Sequence, residues 1–299
     1  MIDICNISKS FGDVKALDKL TVQIPTASVF GLVGSNGSGK STLLRILSGV
    51  YTPDKGKIMI DDEDITDNPG VRGRCCFVSD FPYFSNHATV ENTAVLYREM
   101  YPNWSDKKFK ELSKVFRLKT KTRIITMSKG MQRQVAITLA LSACPKYLFL
   151  DEIFDGLDPV VRQLVKKLLI GEIAENSMTV VIASHNLREL EDMCDHMGFL
   201  HCGGLLLERE LDSLKLELYR IQAAFSQPLS QEVLKPLDIV DVKNTGNLYT
   251  LVVRGNINDI NSYINSLNPV FVQALPLTLE EIFISEMEAA GYDIDHIIE

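Results

Sequence analysis

The chain has 299 residues, of which 45% are hydrophobic and 23% charged, a composition that supports a sizeable buried core and excludes a disordered, fibrous or small disulfide-stapled protein. Its 31 Lys+Arg against 39 Asp+Glu give a net charge of −8, which opposes attachment to nucleic-acid phosphates; no basic cluster is recognised that would override it, so nucleic acid is not an expected partner. No run reaches the roughly 18 consecutive apolar residues of a spanning helix, and the start MIDICNISKS lacks a basic head followed by an apolar region, which predicts a cytoplasmic chain.

In chain order, Leu20, Val22 and Ile24 alternate with polar residues as in a half-exposed strand, and Ser28 to Val33 reads as a buried strand running into glycine-rich sequence. A helix opens at Lys40 and Gly49 stops it. The turn Pro53 to Gly56 leads into a strand at Ile58 to Ile60, and Cys75 to Val78 predicts another. Thr89 and Ser105 have the character of helix N-caps, which makes residues 90–143 mainly helical. Strands return at Tyr147 to Leu150 and Thr179 to Ala183, separated by a helix that Asp158 caps and Pro159 opens. Strands joined by helices in this order predict an α/β fold with a parallel sheet.

The pattern weakens near residue 210. Beyond it, Asp238 to Val242 and Leu248 to Val253 predict strands around a Lys-Asn-Thr-Gly-Asn turn, followed by a helix near 257–267, a strand near 270–275 and a last helix from 278. Two domains are therefore expected, 1–210 and a small α+β accessory domain at 211–299. The six cysteines (Cys5, Cys75, Cys76, Cys144, Cys194, Cys202) include no C-x-x-C pair and read as reduced core residues.

The segment Gly34-Ser35-Asn36-Gly37-Ser38-Gly39-Lys40-Ser41 matches G-x-x-x-x-G-K-[ST] and lies between a buried strand and a helix start. Glycines let backbone N–H groups converge on phosphate oxygens, the helix N-terminus adds positive potential, Lys40 supplies a cation and the Ser41 hydroxyl can ligate Mg²⁺. A phosphate-bound metal also needs a carboxylate from a neighbouring strand end, and Asp151 after Tyr147-Leu-Phe-Leu150 supplies one. Glu152, next to it, is placed to take a proton from a water aligned on the terminal phosphate, a role that a hydrolase must fill.

With these motifs in this order, residues 1–210 resemble the nucleotide-binding subunit of bacterial ATP-binding-cassette (ABC) transporters. Met127-Ser128-Lys129-Gly130-Met131-Gln132 resembles the family signature, Gly156-Leu-Asp158 the D-loop, and His185 the switch histidine. Phe11 stands where the family stacks an aromatic on adenine. The resemblance implies a P-loop NTPase cassette with a RecA-like core, an antiparallel β subdomain and a helical subdomain at about 88–143, with ATP and Mg²⁺ as cofactors.

It also implies that ATP is held by residues 34–41 and Thr42 of one cassette and by Ser128, Gly130 and Asp158 of another, in a homodimer or heterodimer. Glu152 and His185 would be catalytic, and Ser41 and Asp151 would hold the metal. Two positions depart from the family pattern. Asp80 replaces the Q-loop glutamine, offering a shorter, charged oxygen donor to the metal, and Lys129 and Met131 alter the signature while Ser128 and Gly130 remain.

Transport then requires an integral membrane permease on a separate chain, placing this subunit peripherally on the cytoplasmic face. Phe81 to Phe84 are candidates for gripping that permease. The signature and C-terminal extension resemble exporters of peptides, toxins or antibiotic-like amphiphiles; importers, and a nucleotide-gated regulator outside transport, are the other readings. A DNA-repair type cassette is excluded because residues 42–128 leave no room for a long coiled coil.

Overall fold

The computed structural model describes residues 1–211, 218–229 and 231–289, and the chain divides into two compact units, Met1–Glu208 and Arg209–Glu299. The first begins with a long antiparallel hairpin of β1 (Ile2–Phe11) and β2 (Val14–Ile24). With β3 reserved for the strand Val29–Val33, β4 (Lys55–Ile60) and β5 (Glu63–Asp64) complete a sheet of order β2-β1-β4-β5. In β1 the buried residues are Ile2, Ile4 and Ile7. Their spacing lengthens where the register slips between Ile4 and Ile7, with Asn6 at φ 52°.

The second sheet takes β3 together with β6 (Cys75–Val78), β7 (Tyr147–Asp151), β8 (Thr179–Ser184), β9 (His196–His201) and β10 (Gly204–Glu210), in the order β10-β9-β3-β8-β7-β6. The pairs β6–β7, β7–β8, β3–β8 and β3–β9 are parallel. Every residue of β3, β7 and β8 is buried, as in a parallel sheet covered on both faces. Helix α1 (Lys40–Leu47) buries Leu43, Leu44, Ile46 and Leu47 in one apolar cluster with Ile2 and Ile24 of the antiparallel sheet and Phe30 and Phe149 of the parallel one. Burial of such side chains is worth about 1.5–3 kcal/mol each, so α1 is fixed from both sides.

After a single turn, α2 (Pro69–Arg72), come the helices expected between 90 and 143: α3 (Val90–Met100), α4 (Asp106–Val115) and α5 (Lys129–Ser142). Thr89 and Ser105 cap α3 and α4, accepting from the N–H groups of Asn92 and Lys108 at 3.1 and 3.2 Å. Then α6 (Pro159–Asn176) and the short α7 (Leu187–Leu190) flank β8 in the chain. None of the described helices is long and apolar enough to cross a membrane.

The second unit contains β11 (Leu218–Ala224), β12 (Asp238–Thr245), β13 (Leu248–Arg254) and β14 (Phe271–Pro276) in the order β12-β13-β11-β14, with antiparallel pairing throughout. A short helix, Gln231–Leu234, precedes β12, and the helix Ile257–Ser266 precedes β14. That βαββαβ order is the ferredoxin-like arrangement. Its separate core holds Ile221, Leu251, Val253, Ile260 and Ile264. The helix Leu279–Ala289 follows.

Two expectations need correction. Cys75, Cys76 and Cys194 are buried, but Cys5 and Cys202 are exposed: Cys5 stands beside the bulge of β1, and Cys202 occupies the tight turn between β9 and β10 with φ 46°. Burial pushes the thiols of Cys75 and Cys76 up to about 12 and about 11, leaving them unreactive. Positive charge is also clustered after all. Residues 106–123 hold eight Lys and Arg against Asp106 and Glu111, an excess that the net charge of −8 conceals because acidic residues elsewhere outweigh it.

Candidate functional site

Because β3, β8 and β7 are parallel neighbours, their C-terminal ends lie side by side, with Val33 in register with Ser184 and Asp151 with Ala183. Gly34 follows β3, His185 follows β8 and Glu152 follows β7. On the far side of β7, Val78 pairs with Leu150 two residues before Asp80. The carboxyl ends of such a sheet are where open α/β folds bind ligands.

The loop is built on glycine where the backbone is crowded. Gly39 has φ 109° and a Cβ there would lie 2.5 Å from the Ala16 carbonyl; at Gly34 it would lie 2.2 Å from the Leu200 carbonyl. Ser35, Asn36 and Gly37 form the exposed tip and Ser38 is buried. Lys40 is 5% exposed, and its Nζ donates to the carbonyls of Gly34 at 2.6 Å and Ser35 at 3.0 Å. Burial lowers its pKa, so the ammonium gains from any anion brought into the loop. At the start of α1 lie the first N–H groups, which have no partner within a helix, beside half-buried Ser41 and Thr42.

The Ser41 hydroxyl donates to Asp151 Oδ1 at 2.9 Å. Asp151 is 1% exposed, its Oδ2 is buried without a protein partner, and burial raises its pKa. An orphaned carboxylate oxygen beside a hydroxyl is an oxygen donor set for a hard divalent cation; these residues fit Mg²⁺. The Glu152 backbone stands at φ 46° and its N–H donates to the Ala183 carbonyl at 2.9 Å. Its Oε2 lies 2.9 Å from His185 Nδ1, while burial raises the carboxyl pKa. Asp155 brings a carboxylate oxygen within 4.8 Å of this pair.

Phe11 is 44% exposed at the end of β1. Its ring meets that of Tyr51 edge-on at 5.4 Å, and Lys9 Nζ stands 5.6 Å from its centroid. Ser128 caps α5 by accepting from the Met131 N–H at 3.3 Å, and it is exposed. Gly130 packs against the Gly156 carbonyl so closely that a Cβ would sit 3.0 Å away, which joins the signature-like segment to the D-loop-like one. Asp158 caps α6, accepting from the N–H groups of Val160 and Val161 at 3.1 and 3.0 Å. Asp80 has its Oδ1 on Arg133 Nη2 at 2.5 Å, and the same nitrogen donates to its carbonyl at 2.9 Å.

Sequence reasoning missed Tyr51 and Arg133. Arg133 lies 53 positions from Asp80, and nothing local to either residue signals the pair.

These features define a nucleotide-binding P-loop fold, and comparison with known proteins agrees. The family model described as "ABC transporter" matches residues 17–155. The ABC transporter ATP-binding protein YtrB of Bacillus subtilis is 30% identical over 96% of this chain and 98% of its own length. The bacitracin transport ATP-binding protein BcrA of Bacillus licheniformis is 29% identical over 72% of this chain and 71% of its own. The Nod factor export ATP-binding protein I of Bradyrhizobium diazoefficiens is 33% identical over 71% of each. A solved ATP-binding subunit of an ABC transporter shares the fold with a TM-score of 0.67, at 24% identity over 72% of this chain and 92% of its own. The chain belongs to the ATP-binding subunits of ABC transporters and is an ATP hydrolase of that class. Such subunits dimerise as cassettes and attach peripherally to a membrane permease.

Proposed function

We propose that this chain powers export of an amphiphilic cargo, of the peptide, toxin or antibiotic kind, through a separate membrane permease. In this reading the N–H groups of residues 34–42 and Lys40 hold the phosphates of ATP, Phe11 faces adenine with Tyr51 bracing its edge, and Ser41 and Asp151 hold Mg²⁺. The ion supplies charge neutralisation for the departing phosphate oxygens. Glu152 accepts the proton of the attacking water, its carboxylate oriented by His185, which also donates toward the terminal phosphate. Ser128, Gly130 and Asp158 complete the site of a second cassette, so two sites form only when two chains close. The observation that carries this reading is the adjacency of two paired groups at neighbouring strand ends, Ser41 with Asp151 and Glu152 with His185. Export is supported by relatives named for bacitracin transport and Nod factor export.

Glu152→Gln tests the chemistry. ATP binding should persist while turnover falls by about 10²–10⁴-fold, and a closed dimer should accumulate on gel filtration with ATP. A normal rate would remove Glu152 from its role. Isolation of the chain from solubilised membranes tests the coupling: an integral membrane protein should accompany it, and a solely cytosolic partner would favour the nucleotide-gated regulator. Reconstituted with that permease, ATP should drive cargo outward; uptake would reverse the assigned direction.

A further inference from the structure

Away from the nucleotide site, α3 and α4 enclose a groove of about 690 Å³, within the size range of ligand pockets. Its floor is apolar, formed by Ala94 and Val95 of α3 and by Phe109 and Leu118. Its rim is basic. Lys110, Lys114 and Arg117 follow one another at helical spacing on the α4 side and make no ion pair among the described residues, while Arg98 across the groove is held by Asp106. Glu91 is the other acid on the rim. Ser113, 7% exposed, lines the groove with a hydroxyl that has no partner.

We propose that this groove binds the head group of an anionic phospholipid, with the start of its acyl chains laid on the apolar floor. Charge complementarity chooses the ligand: in a chain of net charge −8, residues 106–123 concentrate eight cations against two acids, the arrangement by which a juxtamembrane surface attracts anionic lipid. Of the apolar lining, Val95 is 43% exposed, an accessible apolar contact for the start of an acyl chain. A nucleic acid would instead call for exposed aromatic rings on which bases stack, and Phe109, the aromatic residue of the lining, is buried. The site lies apart from residues 34–42, so lipid and ATP can be measured independently.

The purified chain, without a permease, should cosediment with phosphatidylglycerol-rich vesicles and be released as salt rises. Joint substitution Lys110→Gln, Lys114→Gln and Arg117→Gln should weaken partitioning roughly a hundred-fold, at about five-fold per cation. Val95→Asp, at an exposed position, should also weaken it while ATP binding and the melting temperature stay unchanged. Equal binding to pure phosphatidylcholine, no sedimentation, or an unaffected triple variant would overturn the assignment. So would full competition by inorganic phosphate, by a glutamate-rich peptide or by single-stranded RNA, each of which would identify a different ligand.

Discussion

Asp151 holds a charge that its surroundings disfavour. An acid whose pKa is higher in the folded than in the unfolded chain binds more protons when folded, so stability falls as pH rises from about 3.9 through the raised value and stays lower above it. Lys40 is the mirror case: its lowered pKa means that the folded chain binds fewer protons just below 10.5, and stability increases with pH across that interval. At neutral pH both groups therefore cost stability, and a metal–phosphate ligand held as proposed would relieve both. Asp151→Asn, which can still accept from Ser41, should stabilise the nucleotide-free chain by about 1 kcal/mol, or about 2–4 °C in Tm. The same variant should lose the additional Tm rise that Mg²⁺ gives in the presence of ATP. A lower Tm without nucleotide would mean that the ionised carboxylate is satisfied after all.

Among the elements, α5 links the signature-like segment to the parallel sheet. Its first residues carry the Ser128 cap, and one turn further Arg133, 9% exposed, grips both the carbonyl and the carboxylate of Asp80 beyond β6. Asp80 thus gives Arg133 a charged partner and ties α5 to the sheet edge. Removing one member of a buried pair costs about 3–5 kcal/mol; with the Asp80 side chain 30% exposed, Arg133→Met should cost about 2 kcal/mol, read from the urea midpoint at unchanged slope. Asp80→Asn keeps an oxygen acceptor and should cost less. Equal losses would show that the charge at Asp80 carries the whole interaction and its retained oxygen acceptor none of it.

Over the whole molecule, the two compact units each bury an apolar cluster of their own among the described residues, which implies two cooperative units. The large cluster includes Ile2, Phe30, Leu44 and Phe149, and the other is built from Ile221, Leu251, Val253 and Ile260. Calorimetry should show two transitions, and ATP with Mg²⁺ should raise only the first unit's, by about 2.7 kcal/mol at a hundred times Kd. A single transition moved as a whole by nucleotide would show that the units unfold together.

How far each part could be read in the sequence follows from the range of the interactions behind it. The phosphate loop, the helix caps at Thr89, Ser105 and Asp158, and the burial of β3, β7 and β8 depend on spacing over a few residues, so they are written locally and the structure has them where the sequence puts them. The strand β1 escaped because its bulge breaks the two-residue alternation that marks a strand. The basic groove escaped because a whole-chain charge averages away a cluster of 18 residues.

By itself, the sequence determined the residue types and their chemistry: a lysine in a glycine-rich loop, a serine, two adjacent carboxylates and a histidine, each at the end of a strand or the start of a helix. Only the tertiary structure decided which of them meet. Strand order β3-β8-β7 sets Ser41 against Asp151 and Glu152 against His185, and helix packing sets Arg133 against Asp80 and four cations around one apolar floor. Those contacts join residues tens of positions apart, and their geometry comes from burial of the chain as a whole, which no local spacing records.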